Sequence, residues 1–123
     1  MNPHADADCP MAQAIGILGD RWSLILIREA LDGAIRYDDF KTRLGVSDNT
    51  LTRKLGELVE SDLVERTIES GRPTYRLTKA GADLASVLAM LGSWSQRWFP
   101  IRHPRKPPAP IVKAARSHGL RIG

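Results

Sequence analysis

A single cysteine, Cys9, stands among the 123 residues, so no disulfide can close within the chain. A reducing, cytoplasmic setting is the expectation. No stretch approaches the roughly 18 apolar residues that a membrane span requires. The opening MNPHADADCP lacks the basic start and apolar run of a secretory signal. His4, His103 and His118 are scattered without metal-ligand spacing, and no metal is expected. Gly16, Gly19 and Gly33 fit no phosphate-cradling loop, and Cys9 with a distant histidine makes no nucleophile–base pair. Enzyme chemistry and a resident cofactor are therefore not expected. No internal repeat is present.

The composition, 42% apolar and 26% charged, is that of one globular domain with a modest core. The formal charge of +4 is unevenly placed. Residues 1–99 hold twelve Lys and Arg against fourteen Asp and Glu, a net of −2. Residues 100–123 hold Arg102, Arg105, Lys106, Lys113, Arg116 and Arg121 with no acid, a net of +6. Overall basicity belongs to the tail, and by itself it says nothing about what the body binds. The expected organisation is a flexible lead-in over residues 1–8, one domain over 9–99 and a basic, proline-rich tail over 100–123.

The body is organised around YDDFKTRLGVSDNTLTRKLGELVES, residues 37–61. Phe40 and Leu44 form one apolar stripe at helical spacing, and Leu51, Leu55, Leu58 and Val59 form a second. Between them, Gly45 suits the left-handed end of a helix, Val46 a plug between helices, and Ser47 an N-cap. This is a helix-turn-helix pattern, whose second helix suits a DNA major groove. At about 100° per residue, the face opposite the leucines carries Asn49, Arg53 and Gly56, with Thr52 beside them. Asn and Arg can pair bidentately with adenine and guanine edges, and Thr offers a hydroxyl or a methyl. Gly56 costs about 1 kcal/mol against Ala mid-helix, so close approach of a phosphate or a neighbouring helix is its expected reason.

Upstream, Cys9-Pro10 opens a helix with Met11, Ala14, Ile15 and Leu18 as its buried stripe. Trp22–Leu31 reads as a central helix, Ile25, Leu26 and Ile27 packing on several sides, and Ala34–Arg36 as a short strand. After Asp62 the period changes from 3.6 to 2. Residues 63–69 alternate, Ser70–Pro73 turns, and residues 74–78 alternate again. A hairpin directly after a recognition helix reads as a wing, with Arg72 at its tip and Arg66 and Arg76 along it. Arginine there suits phosphate and a narrow minor groove, while pairing with Glu65 and Glu69 is the plainer alternative. Thr78 then caps one long helix. Its broad apolar face, Leu84, Val87, Leu88, Leu91, Trp94 and Trp98 with Ala85 and Met90 at the margins, exceeds what a small core needs and reads as a dimer interface. The fold class is mainly α with a small β-hairpin, a winged helix-turn-helix.

Taken together, CPMAQAIGILGDRWSLILIREALDG, RYDDFKTRLGVSDNTLTRKLGELVESDLVERT and RPTYRLTKAG resemble the HxlR-type family of winged helix-turn-helix transcriptional regulators, over about residues 9–98. The resemblance implies a homodimer formed through the first and last helices, binding double-stranded operator DNA and regulating transcription, with repression the expected sign. Members often carry Asp-Gly-Leu where this chain has Ser61-Asp62-Leu63, so Asp62 is expected to take the left-handed turn itself. In several members the cysteine of the Cys-Pro opening senses oxidants or electrophiles. Here a helix dipole favours the Cys9 thiolate while Asp6 and Asp8 oppose it, and a small capping residue is the other reading. A small apolar ligand between the first helix, the last helix and Trp22 is a second effector reading.

The expected DNA-contacting set is Ser47, Asn49, Thr50, Thr52, Arg53, Lys54 and Arg72. Asn49, Thr52 and Arg53 meet base edges, while Thr50, Lys54 and Arg72 meet phosphates. In the tail, Arg102, Arg105 and Lys106 suit a phosphate-tracking arm and Ile111–His118 a short basic helix, against a solvated extension. The alternative function is a winged-helix protein-interaction module without sequence-specific DNA binding.

Overall fold

The computed structural model describes residues 8–102. The expected lead-in and most of the tail, with Arg105, Lys106 and the Ile111–His118 helix, lie outside the described residues. Within them the chain is mainly helical with a two-stranded antiparallel hairpin. The order is α1 (Pro10–Leu18), α2 (Ser23–Leu31), α3 (Tyr37–Leu44), α4 (Asp48–Glu60), β1 (Val64–Glu69), β2 (Arg72–Leu77), α5 (Lys79–Ala82) and α6 (Ala85–Trp98).

Helix α1 begins as its residues suggest. Pro10 occupies the first turn, and the Cys9 Sγ accepts the Ala12 N–H at 3.4 Å. The expected buried stripe does not form. No residue of α1 is buried, and Met11 and Ile15 are 66% and 44% exposed. Only Leu18 packs against the core, because no other described element covers the outer turns. Asp20 then caps α2, its Oδ1 accepting the Trp22 and Ser23 N–H groups at 2.7 and 2.9 Å. Trp22 therefore precedes the helix instead of opening it.

Helix α2 is the centre of the core. Leu26, Ile27 and Leu31 are fully buried, whereas Ile25 is only half-buried. Around them pack Phe40 from α3, the α4 leucines, Val64 and Leu77 from the hairpin, and Ala82 and Ala85. Glu29 is buried on the same helix and meets Arg28 at 3.0 Å and Arg43 at 3.5 Å. The helix-turn-helix turn follows its residues closely. Gly45 takes φ 63°, Val46 is buried, and the Ser47 Oγ accepts the Thr50 N–H at 3.3 Å.

The hairpin pairs Val64 with Leu77 through to Glu69 with Arg72, joined by Ser70 and Gly71 alone. The turn is thus shorter than expected. Arg72 and Pro73 belong to the strand, where Pro73 faces Ile68 at an edge position that tolerates a missing N–H. Ala34–Arg36 contributes a single bridge, Arg36 to Thr74, with the Tyr75 N–H donating to the Ile35 carbonyl at 2.7 Å. Asp62 sits at φ 64°, the left-handed turn expected of it.

The expected single C-terminal helix is broken into α5 and α6. The Leu84 N–H reaches back three residues to the Gly81 carbonyl at 3.2 Å, tightening the turn at Asp83 and Leu84. The chain is closely packed just before it. Ala82 is wholly buried, and a Cβ on Gly81 would run into the Leu63 carbonyl oxygen. Ala85, expected at the margin of the apolar face, joins the core instead.

Two glycines should therefore respond in opposite ways. Gly81→Ala forces backbone apart and should lower stability by about 1–3 kcal/mol. A Cβ on Gly56 has no neighbour within 4 Å. Gly56→Ala should raise stability by roughly 0.5–1 kcal/mol through helix propensity. Chemical denaturation of the two variants beside the parent measures both.

Candidate nucleic-acid interface

Helix α4 separates its two faces sharply. Leu51, Leu55 and Leu58 are 1–3% exposed, while Asn49, Thr52, Arg53 and Gly56 lie in the open. Asn49 makes no side-chain hydrogen bond among the described residues. Arg53 lies 3.7 Å from Glu57, one turn on, with its side chain 61% exposed. An exposed pair at that distance is worth under about 1 kcal/mol and is easily exchanged. With no described neighbour beside Gly56, packing of another described helix is not its reason.

The remaining expected contacts are placed less uniformly. Ser47 and Thr50 share a hydroxyl–hydroxyl contact of 3.1 Å at the start of α4. Arg72 is exposed and lies 3.4 Å from Asp38, at the start of α3. Lys54 differs from the rest of the set. Its side chain is only 12% exposed, and its ammonium lies 3.1 Å from Glu57 and 3.6 Å from Asp20. It ties α4 to the loop that follows α1. Asp20 is drawn below the usual carboxylate range. Burial pushes it up, but the Ser23 hydroxyl, the Trp22 and Ser23 N–H groups and Lys54 together outweigh that.

The wing is bolted to the helix-turn-helix. The Arg36 guanidinium donates to the Glu69 and Arg72 carbonyls at 3.1 and 3.0 Å, gripping both sides of the turn. Asp39 accepts the Ile35 and Arg36 N–H groups at 3.0 and 2.9 Å, holding the start of α3. The plainer reading of the wing arginines holds for Arg76, which donates twice to Glu69 at 2.9 Å. Arg66 instead leans on the Tyr75 hydroxyl at 3.4 Å.

Sequence reasoning passed over one cluster beside the outer face of α4. The Tyr37 hydroxyl donates to Asp48 Oδ1 at 2.7 Å and lies 3.4 Å from the Thr52 Oγ1. Lys41, one turn along α3, reaches the same Asp48 oxygen at 3.0 Å. The Tyr37 hydroxyl, then Lys41, holds the Asp48 carboxyl below its usual range. The i, i+4 spacing of Tyr37 and Lys41 was a visible signal; their meeting with Asp48 across the turn was not.

With this geometry in view, residues 17–103 match the HxlR-like helix-turn-helix family, and the chain belongs to it. An uncharacterized HTH-type transcriptional regulator of Mycobacterium tuberculosis is 36% identical over 101 residues, covering 80% of this chain and 63% of that protein. The chain thus spans just under two thirds of the mycobacterial relative. The HTH-type transcriptional regulator YodB of Bacillus subtilis is 30% identical over 95 residues, 73% of this chain and 85% of YodB. The crystal structure of PA1607, a candidate transcription factor, superposes with a TM-score of 0.77 at 30% identity, covering 84% and 74% of the two chains. Reduced YodB gives 0.65 at 28% identity, covering 74% and 94%.

The wing carries its own pH signature. The Arg76 and Thr74 contacts bring the Glu69 carboxyl from 4.5 down to about 2. A lowered carboxyl pKa contributes stability that is full above 4.5 and is lost as pH falls toward about 2. A carboxyl-detected NMR titration should place Glu69 near that lower value. Arg76→Gln should return it toward 4.5.

Proposed function

We propose that the chain is a homodimeric, sequence-specific DNA-binding transcriptional regulator, most simply a repressor. The observation that carries this is the outer face of α4, where Asn49, Thr52 and Arg53 stand open opposite a fully buried leucine stripe. In this reading each subunit lays α4 in a major groove, Asn49, Thr52 and Arg53 meeting base edges. Ser47, Thr50 and Arg72 meet the backbone, and the bare Cα of Gly56 lets a sugar-phosphate strand pass close. Lys54, held by Asp20 and Glu57, positions α4 first and reaches a phosphate only by leaving that pair.

Dimerisation rests on apolar surface that the described residues leave uncovered. Val87, Leu91, Trp94 and Trp98 of α6 are 42–64% exposed, with Leu84 and Leu88 half-buried at the near end. Met11 and Ile15 of α1 add to the same kind of surface. Two copies joined there present two reading helices, which multiplies affinity and specificity over paired half-sites. Cys9, partly exposed at the start of α1, stands on this surface's edge as the candidate oxidant sensor. YodB, similar in sequence, has been solved reduced, quinone-bound and diamide-treated.

The test is a titration against DNA from the chain's own upstream region and against scrambled DNA, at low and physiological salt. Arg53→Ala should cost about 1–3 kcal/mol on the operator and relax preference at one base pair per half-site. Equal binding of both DNAs by parent and variant would refute the assignment. Trp94→Glu should yield a monomer by light scattering, with operator affinity reduced well beyond its effect on random DNA. Loss of binding on diamide treatment, abolished in Cys9→Ser, would make Cys9 the sensor.

A further inference from the structure

The cluster at the junction of α3 and α4 has an unusual composition for an exposed site. Two donors, the Tyr37 hydroxyl and the Lys41 ammonium, converge on a single carboxylate oxygen of Asp48, and the Thr52 hydroxyl lies 3.4 Å from the Tyr37 hydroxyl. The Asp48 side chain is 74% exposed, so no part of the core needs it there. Nor does it make an exposed pair of much stability in water. What the donors do share is a match to a phosphate oxygen: one charge, one phenolic O–H and one aliphatic O–H, open to solvent beside Asn49 and Arg53. We propose that Tyr37, Lys41 and Thr52 form a seat for one phosphodiester of duplex DNA, and that Asp48 occupies this seat in the free protein as an internal stand-in for the phosphate.

The seat deepens the DNA-binding reading and rests on it. It also gives that reading a source of selectivity. On random DNA the seat exchanges one anion for another, so the contact adds little net free energy. On the operator, base contacts from Asn49, Thr52 and Arg53 hold α4 in place and draw the exchange along. Asp48 thus subtracts from sequence-independent affinity, the part of binding set by phosphate neutralisation and counterion release. Because Thr52 belongs both to the seat and to the base-reading face, phosphate docking also sets the rotamer from which its methyl or hydroxyl meets a base.

The test uses the full chain and a mixed-sequence duplex, titrated across a salt series. Asp48→Asn, which keeps the side chain's shape and removes its charge, should bind that duplex up to about fivefold more tightly at low salt. It should also steepen the decline of log K with log salt. Lys41→Gln should bind more weakly and flatten that slope by about one. Tyr37→Phe, which loses only a neutral hydroxyl, should leave the parent nearly unchanged but weaken binding of Asp48→Asn, with no change of slope. Asp48→Asn should tighten binding less in the Lys41→Gln background than in the parent, since both act on one seat. A parent that binds the duplex, with Asp48→Asn no tighter than it, would overturn the seat alone. A parent that binds no duplex at low salt would overturn the DNA reading and the seat together.

Discussion

Burial of one leucine stripe decides what α4 can present. Leu51, Leu55 and Leu58 are packed against the core at 1–3% exposure, and any rotation of the helix would pull them into water. Emptying one such site costs about 2–5 kcal/mol, a large share of a small domain's whole stability. Asn49, Thr52 and Arg53 are therefore held outward by the opposite face of the helix, with no contact of their own needed. The turn before α4 fixes the other angle. Gly45 ends α3 in the left-handed region, Val46 fills the wedge, and Ser47 restarts the chain as a cap.

Around this face nearly every described cation is already paired with an internal anion. Lys41 meets Asp48, Arg53 meets Glu57, Lys54 meets Asp20 and Glu57, and Arg72 meets Asp38. Most of these pairs are exposed and contribute little to stability. Their effect is on the field. In a body whose first 99 residues carry a net of −2, Lys41, Arg53 and Arg72 each have an exposed, replaceable partner. Such a surface does not attract polyanions indiscriminately, yet loses little when a phosphate replaces a carboxylate. Lys54 is the exception, because its covered ammonium is part of how α4 is seated.

The fold was legible where the signal is local. The cap at Ser47, the left-handed Gly45, the alternation on either side of Ser70-Gly71 and the strained turn at Asp62 are each written within a few residues. What escaped was set by partners distant in sequence. The break at Asp83–Leu84 comes just after Gly81 packs against the Leu63 carbonyl, a contact that no periodicity of the last helix encodes. Helix α1 has the stripe of a buried helix, but a stripe says only that a face is apolar, and here nothing in the described chain covers it. The site divides the same way. The exposure of Asn49 and Arg53 follows from helical geometry alone, whereas the contacts of Lys54, Tyr37 and Asp48 depend on ion pairs and hydrogen bonds across elements.

The uncovered apolar surface bears on more than assembly. Helix α6 has 14 residues, and of these only Ala85 is buried in the core. An isolated helix of that length is marginal in water, so most helical stability comes from packing a face. The Trp94–Phe99 edge contact, with ring centroids 5.7 Å apart, covers little of it. A second copy supplying the missing cover would stabilise α6 and α1 together. Helix α1 leads into the loop of Asp20, and Asp20 holds both the start of α2 and, through Lys54, α4. Helix α1 is thus joined to α4 by one loop and one ion pair.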